Sequence, residues 1–378
     1  MQIEFSESER STVGIEWELG LVDAASGDLV HIAEEVLREL GTDDGVEHPQ
    51  ITHELLLNTV ELVSRVHHTV PEAIVDLQEL IALVRDVTDP LGVELMCAGT
   101  HPFAQWYDQK VTPNERYERL LDRTQWWGRQ MMIWGIHVHV GIDERDKALP
   151  IVNGLLTYYP HLQALSASSP FWGGAKTGYA SNRALMFQQL PTAGLPWQFG
   201  SWANYEEYVQ DLVTTGVVTD HSEVRWDIRP SPKWGTVEMR ACDGLSTADE
   251  VGAVAALIHC LTDRMSEQLD RGEEPVTLQP WFVRENKWRA ARYGLDADII
   301  VAPDGRQRNV TDDLRDLVVD LSPVAERLGC VAELETVDVI VRDGASYQRQ
   351  LAVAETNGGS LQAVVSSLTH ELRNGLPR

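Results

Sequence analysis

The chain has 378 residues, 43% of them hydrophobic and 24% charged, enough to bury a full core and typical of a soluble globular protein. Its formal net charge of -27 argues against nucleic acid or an anionic membrane surface as partner, and small-molecule substrates are expected instead. The N-terminal MQIEFSESER has neither a basic start nor an apolar stretch, and no apolar run approaches the roughly 18 residues of a membrane span, so a cytoplasmic protein is expected. Cys97, Cys242, Cys260 and Cys330 lie far apart without a CxxC, which suggests reduced, mostly buried thiols.

In chain order, residues 13–23 (VGIEWELGLVD) read as a strand, with Val13, Ile15, Trp17, Leu19 and Leu21 on one face and Gly14, Glu16, Glu18 and Gly20 on the other. A hairpin turn at AASGD and a helix in HIAEEVLREL follow. Thr69 and Pro71 give the cap and first-turn signals of a helix in PEAIVDLQELIALVRDV. GVELMCAGTHPF reads as a strand running into a loop, and NERYERLLDRTQWWGRQMM as one helix with a basic and aromatic face. IWGIHVHVGI and WGTVEMRACD read as strands, and Leu149 to Leu165 and Glu250 to Leu269 as helices. From about residue 250 the chain is mostly helical, with Thr311 as the expected cap of a late helix. Short strands among long helices in irregular order indicate an α+β fold, helices backing a largely antiparallel sheet, and no linker or repeat divides residues 1–378 into more than one domain.

Three of these strands share one design. Glu16 and Glu18, His137 and His139, and Glu238 and Arg240 each share the face opposite an apolar row. Two carboxylates side by side on a strand repel each other unless a cation or basic groups share the space. Either histidine pair or Glu238–Arg240 alone is as compatible with a structural role, but together in one sheet the three strands would form a carboxylate and imidazole platform suited to Mg²⁺ or Mn²⁺ rather than zinc. In HELLLNTVELVSRV the β-rich VELVSRV favours a strand that makes Glu61 a further candidate, whereas Glu54 is expected to be solvated.

Basic residues concentrate in two segments, GYASNRALMFQQLP with Arg183 and RWDIRPSPKWGTVEMR with Arg225, Arg229, Lys233 and Arg240. Guanidinium groups beside a metal platform suggest a polyphosphate and a carboxylate as joint substrates. WGGAKTG lacks the P-loop spacing, and HExxH, GxSxG and a strand-linked GxGxxG are absent. A metal-dependent hydrolase using the same platform is the alternative; it leaves the arginines without a task.

GIEWELGLVD, VELVS, GTHPF, HVHVG, SPFWGGAKTGYASNRALMFQQLP and RPSPKWGTVEMRACD, in this order over roughly residues 10–245, resemble the YbdK-like carboxylate-amine ligases, the glutamate-cysteine ligase type 2 family. The resemblance implies a glutamine synthetase-like fold and an ATP-dependent ligase that forms an amide through an acyl phosphate, with glutamate-cysteine ligase activity. It implies metal ligation by Glu16, Glu18, Glu61, His137 and Glu238, catalytic roles for Arg183 and Arg240, and nucleotide or substrate binding by His139, Arg229 and Lys233. ATP and Mg²⁺ or Mn²⁺ are the implied cosubstrate and ion, and a homodimer the implied assembly. His101 in GTHPF is a loop histidine without an assigned role.

Overall fold

The computed structural model describes residues 2–41 and 46–376. Its strands are β1 (Val13–Asp23), β2 (Ile51–His53), β3 (Thr59–Val63), β4 (Val93–Met96), β5 (Gly135–Gly141), β6 (Phe171–Trp172), β7 (Ala175–Lys176), β8 (Ile228–Ser231), β9 (Thr236–Asp243), β10 (Asp298–Ile300) and β11 (Gln307–Asn309). Seven of them make one sheet in the order β2-β3-β1-β5-β9-β8, with β4 pairing the far end of β1, and every pairing in it is antiparallel. The α+β class expected from the sequence holds.

The alternation in β1 has the expected consequence. Val13, Ile15, Trp17, Leu19 and Leu21 are at most 1% exposed, and they join Ile136, Val138, Val140, Val237 and Met239 in one core. The helices Val70–Thr88, Arg145–Ser166 and Ala248–Asp270 close that apolar face. Thr69 caps the first of them in a reciprocal box with Glu72, as its sequence signals. The same core takes in Leu314, Leu334 and Leu372 from the C-terminal helices, so the helical third packs continuously with the sheet.

Two local expectations are corrected. The stretch expected as one helix from Asn114 onward breaks at Gln125, whose φ of 49° ends Glu115–Thr124 before the short turn Trp126–Arg129. The late helix begins at Val310, and its cap is Asn309, whose side chain accepts the Thr311 N–H, so the capping oxygen lies two residues earlier than Thr311.

Candidate active site

Strand register brings the polar rows together. Glu16 lies opposite His137 and Glu18 opposite Glu61, while His139 lies opposite Glu238, which lies opposite Arg229. The ligand atoms of Glu16, His137 and Glu238 fall within 4.8 Å of one another, and so do those of Glu18, Glu61 and His137. All five residues expected as metal ligands are therefore gathered, in two triads that share His137.

The two ends of the platform differ in charge. At one end Glu238, 1% exposed, accepts from Arg229 Nε at 2.7 Å and is paired with Arg240. Burial alone would raise its pKa, but the two guanidiniums and His139 outweigh that and hold it well below the usual carboxylate range. Glu16 is likewise held low against its burial by the two histidines: His137 Nδ1–H donates to Oε2 at 2.7 Å, and His139 Nε2 lies 3.3 Å from Oε1 at ion-pair distance. Burial and the Arg240 charge bring His137 down to about 4, so its Nδ1–H donates to Glu16 as a neutral imidazole. That tautomer leaves the Nε2 lone pair facing Glu18, 3.8 Å away, an arrangement typical of a metal-ligating histidine with a carboxylate behind it.

At the other end negative charge is in excess. Burial and the nearby Glu54 push Glu18 up to about 8, and burial with Glu16, Glu54 and Glu18 raises Glu61 well above its ordinary value. Glu54 itself is raised by burial, with Glu16 adding to the effect against the pull of Arg240 and Arg116. Glu54 is thus less solvated than expected: it is half-buried just past the end of β2, beside the carboxylate cluster. A hard divalent cation fits this donor set, two crowded carboxylates and one neutral imidazole nitrogen, better than it fits the Glu238 end, where two arginines already occupy the carboxylate.

The two expected catalytic arginines are set by different devices. A bulge in β9 shifts the pairing with β5 between Ile136↔Cys242 and Val138↔Met239, and Arg240 sits in it, directed at Glu238 and 3.4 Å from His137 Nδ1. The inserted residue reverses the parity beyond it, so Cys242 turns into the core, where burial raises its thiol to about 12. Arg183, 3% exposed, follows a loop drawn onto the sheet by Asp243: Ser169 and Ser181 donate to the Asp243 carboxylate at 2.6 and 2.8 Å, and the Arg183 N–H donates to Ser169 Oγ. The guanidinium lies over Gly135, where a Cβ would meet Nη2 at 2.2 Å. It donates to the Arg240 carbonyl at 3.3 Å, its Nε has no hydrogen-bond partner, and no carboxylate among the described residues lies within ion-pair distance of it.

Of the remaining expected residues, His139 and Arg229 stand within the platform, with His139 Nδ1 2.8 Å from Thr236 Oγ1. Lys233 does not: it is exposed at the β8–β9 turn, its ammonium 4.5 Å from the centre of the Trp234 ring, because strand parity does not extend around a turn. Arg225 is partly buried and lowered to about 10 mainly by burial; it bonds the Glu223 carbonyl. His101 is a buried brace between the Gly27 carbonyl and the Ala104 N–H. Sequence reasoning missed Asp243, Gly135, and the helix residues Arg116 and Tyr117. Charge interactions link Arg116 to Glu54, and burial followed by the charges of Glu54, Glu61 and Glu18 raises the Tyr117 hydroxyl. The signal for that helix was its basic and aromatic face in a strongly acidic chain.

An antiparallel sheet that gathers carboxylates and imidazoles beside a buried guanidinium without a carboxylate partner suits a nucleotide-dependent ligase, and that is the class to which similarity to known proteins assigns the chain. The model of the Glutamate-cysteine ligase family 2 (GCS2) matches residues 12–367, and the chain belongs to that family. A relative from Leifsonia xyli subsp. xyli is 83% identical over 375 residues, 99% of each chain, and one from Mycobacterium bovis is 55% identical over 371 residues, 98% of this chain and 97% of the relative. Both carry the name "Putative glutamate--cysteine ligase 2". Among solved structures, the glutamate–cysteine ligase of Francisella tularensis in complex with AMP superposes with a TM-score of 0.68 at 15% identity, covering 98% of this chain and 90% of that one. A bifunctional glutathione synthetase from Pasteurella multocida gives 0.68 at 16%, over 96% of this chain and 52% of that one. The α+β fold is thus shared with glutamate–cysteine ligase, and the protein is an ATP-dependent carboxylate-amine ligase. The hydrolase alternative is not favoured. No helix among the described residues is long and apolar enough to cross a membrane.

Proposed function

We propose that the chain joins glutamate to cysteine or a similar amine, with the glutamate carboxylate attacking the γ-phosphorus of ATP. The P–O bond to ADP breaks as the acyl phosphate forms. The amine nitrogen then attacks the acyl carbon, inorganic phosphate leaves, and the nitrogen loses a proton to a neighbouring base. Arg183 carries this reading: a buried guanidinium without a carboxylate partner, beside a cluster of carboxylates, calls for an anionic ligand at that point. Arg240 stands next to it across the bulge and would share the phosphoryl charge. Arg229 and His139 keep Glu238 and Glu16 ionised and oriented.

Glu18, Glu61 and the Nε2 of His137 would hold one Mg²⁺ or Mn²⁺, and Glu16 and Glu238 would offer carboxylate oxygens to a second. Such an ion neutralises the oxygens of the transferring phosphate. The whole chain would act as one cytoplasmic catalytic unit, since its core runs without a break from Ile3 to Leu372, and a homodimer is its proposed assembly.

The test follows one oxygen. With the substrate carboxylate labelled by heavy oxygen, one labelled oxygen per released phosphate is expected, because the bridging oxygen leaves with phosphorus. Unlabelled phosphate accompanied by amide product would exclude the acyl phosphate. Glu18→Gln and Glu61→Gln should each lose most ADP release at limiting Mg²⁺; wild-type rates in either would remove that residue from the ion site.

A further inference from the structure

Away from the ligase site, the described residues contain one pair of facing thiols. Cys260, on the Ala248–Asp270 helix, and Cys330, the N-cap residue of the Val331–Asp343 helix, hold their sulfurs 3.7 Å apart. Both are free, fully buried, and carried by helices that pack against each other. A disulfide needs about 2.05 Å, so the sulfurs must approach by less than 2 Å, within reach of side-chain rotation and a small helix shift. The other two cysteines lack such a partner. Cys97 Sγ lies between the Trp17 indole N–H and the Glu18 carbonyl, and Cys242 is sealed in the core.

The surroundings make the paired sulfurs unequal. Cys330 stands at the start of a 13-residue helix, where the first-turn N–H groups favour a negative sulfur. His259 donates Nε2–H to the Ser11 carbonyl at 2.7 Å, and its buried Nδ1 makes no hydrogen bond of its own. The hydrogen bond between the two sulfurs holds the Cys330 thiol below its ordinary value, opposed by burial and helped by His259, and the same bond together with burial raises that of Cys260; Glu333 opposes the shift at Cys330 and Asp263 adds to that at Cys260. One sulfur is thus suited to attack and the other to resolve.

We propose that Cys260 and Cys330 form a redox-modification site, a buried dithiol that a hydroperoxide converts to a disulfide stapling the two helices together. The Cys330 thiolate attacks one peroxide oxygen, the O–O bond breaks, and a sulfenic acid and hydroxide result, the hydroxide taking a proton to become water. The Cys260 sulfur then attacks the sulfenic sulfur, forming the S–S bond and releasing a second water. Two thiols are oxidised and one peroxide bond is reduced, so the step balances. Hydrogen peroxide is the probe of choice because it is the smallest hydroperoxide.

The experiment treats the reduced full-length protein with hydrogen peroxide, denatures it in excess alkylating agent, and maps the peptides by mass. The expected product is a cross-linked peptide pair containing Cys260 and Cys330, 2 Da lighter than the two thiols, with Cys97 and Cys242 alkylated and the thiols restored by reductant. Full alkylation of all four cysteines, or a cross-link through Cys97 or Cys242, would overturn the proposal without recourse to any variant. As a second arm, Cys260→Ser should stop at a dimedone-trappable sulfenic acid on Cys330, and Cys330→Ser should consume peroxide about tenfold more slowly than wild type. Equal consumption by Cys330→Ser would overturn the assignment of the attacking sulfur. None of these readouts depends on ligase activity.

Discussion

Replacing Gly135 by alanine tests the site through a residue that touches neither metal nor phosphate. A Cβ there would lie 2.2 Å from Arg183 Nη2, 2.7 Å from Cζ and 3.0 Å from the Cys242 carbonyl. Non-bonded carbon contacts settle near 3.5 Å or beyond, so the guanidinium must retreat by about 1 Å or more, since the strand backbone behind it is pinned on both sides by β1 and β9. The retreat breaks the 3.3 Å bond to the Arg240 carbonyl and moves the charge off the position where the phosphoryl group is proposed to develop its own. A displacement of that size costs about 10²-fold, and complete loss of one charge stabiliser about 10² to 10³-fold, so kcat should fall by roughly 10². Stability should fall by about 1 to 3 kcal/mol, the usual penalty of overpacking. ADP release with saturating ATP and Mg²⁺, measured beside a melting curve, reads both quantities. In an Arg183→Ala background the clash is gone, and Gly135→Ala should cost only about twofold more. Wild-type kcat in the single variant, or a full further loss of about 10²-fold in the double variant, would refute the placement of Arg183.

Arg240→Ala should lower turnover by about 10² to 10³-fold with little recovery in Arg240→Lys, because an ammonium cannot reproduce a planar fork; near-normal kinetics in the alanine variant would remove it from the reaction. Lys287→Met should destabilise the protein by about 3 to 5 kcal/mol in a denaturant titration, since it leaves Asp227 as a buried charge 3.1 Å from only the Tyr159 hydroxyl where it now holds Lys287 at 2.6 Å. Glu18 predicts the pH dependence of the metal-free protein. A carboxyl raised in the fold contributes stability that is complete below its unfolded value of 4.5 and is lost as pH rises through about 8, so the melting temperature should drop across that window. Mg²⁺ binds the ionised form, and its stabilising shift should be larger at pH 8.5 than at pH 5.5. An equal shift at both values would place the ion elsewhere.

What the sequence made legible was the set of faces. Alternation in β1, β5 and β9 puts Glu16, Glu18, His137, His139, Glu238 and Arg240 on one side because a strand has a period of two, and no tertiary contact can change that within an unbroken strand. Register was not legible, since it depends on pairing with strands distant in sequence, and it is register that sets Glu18 against Glu61 and His139 against Glu238. Where periodicity stops, reasoning from it fails. Cys242 would share the parity of Arg240, but the bulge between them turns it inward. Lys233 lies on a turn and Glu54 just past a strand end, so neither position follows from alternation. Asp243 and Gly135 act through loop and side-chain packing, which leaves no pattern in a single sequence.

The distribution of charge on the platform also bears on why a chain with a net charge of -27 can bind a tetra-anion such as ATP. Arg229 and Arg240 offset the charges of Glu238 and Glu16, with the two histidines beside Glu16, so that half of the face is close to neutral. Glu18, Glu54 and Glu61 have only distant arginines against them, and burial, with the neighbouring carboxylates adding to it, raises their pKa values. Arg183 has the opposite imbalance, a buried positive charge with no carboxylate within ion-pair distance. Two imbalances of opposite sign on one sheet face are each costly in isolation. A metal-bound nucleotide offsets both at once, its cation against the carboxylates and its phosphate against the guanidinium, whereas a cation alone or a phosphate alone relieves only one. Mg²⁺ and ATP should therefore bind cooperatively, each raising the affinity of the other by the same factor. Titration of ATP with and without Mg²⁺, in wild type and in Arg183→Ala, would measure that coupling, and an unchanged factor in the variant would show that the two imbalances are not linked.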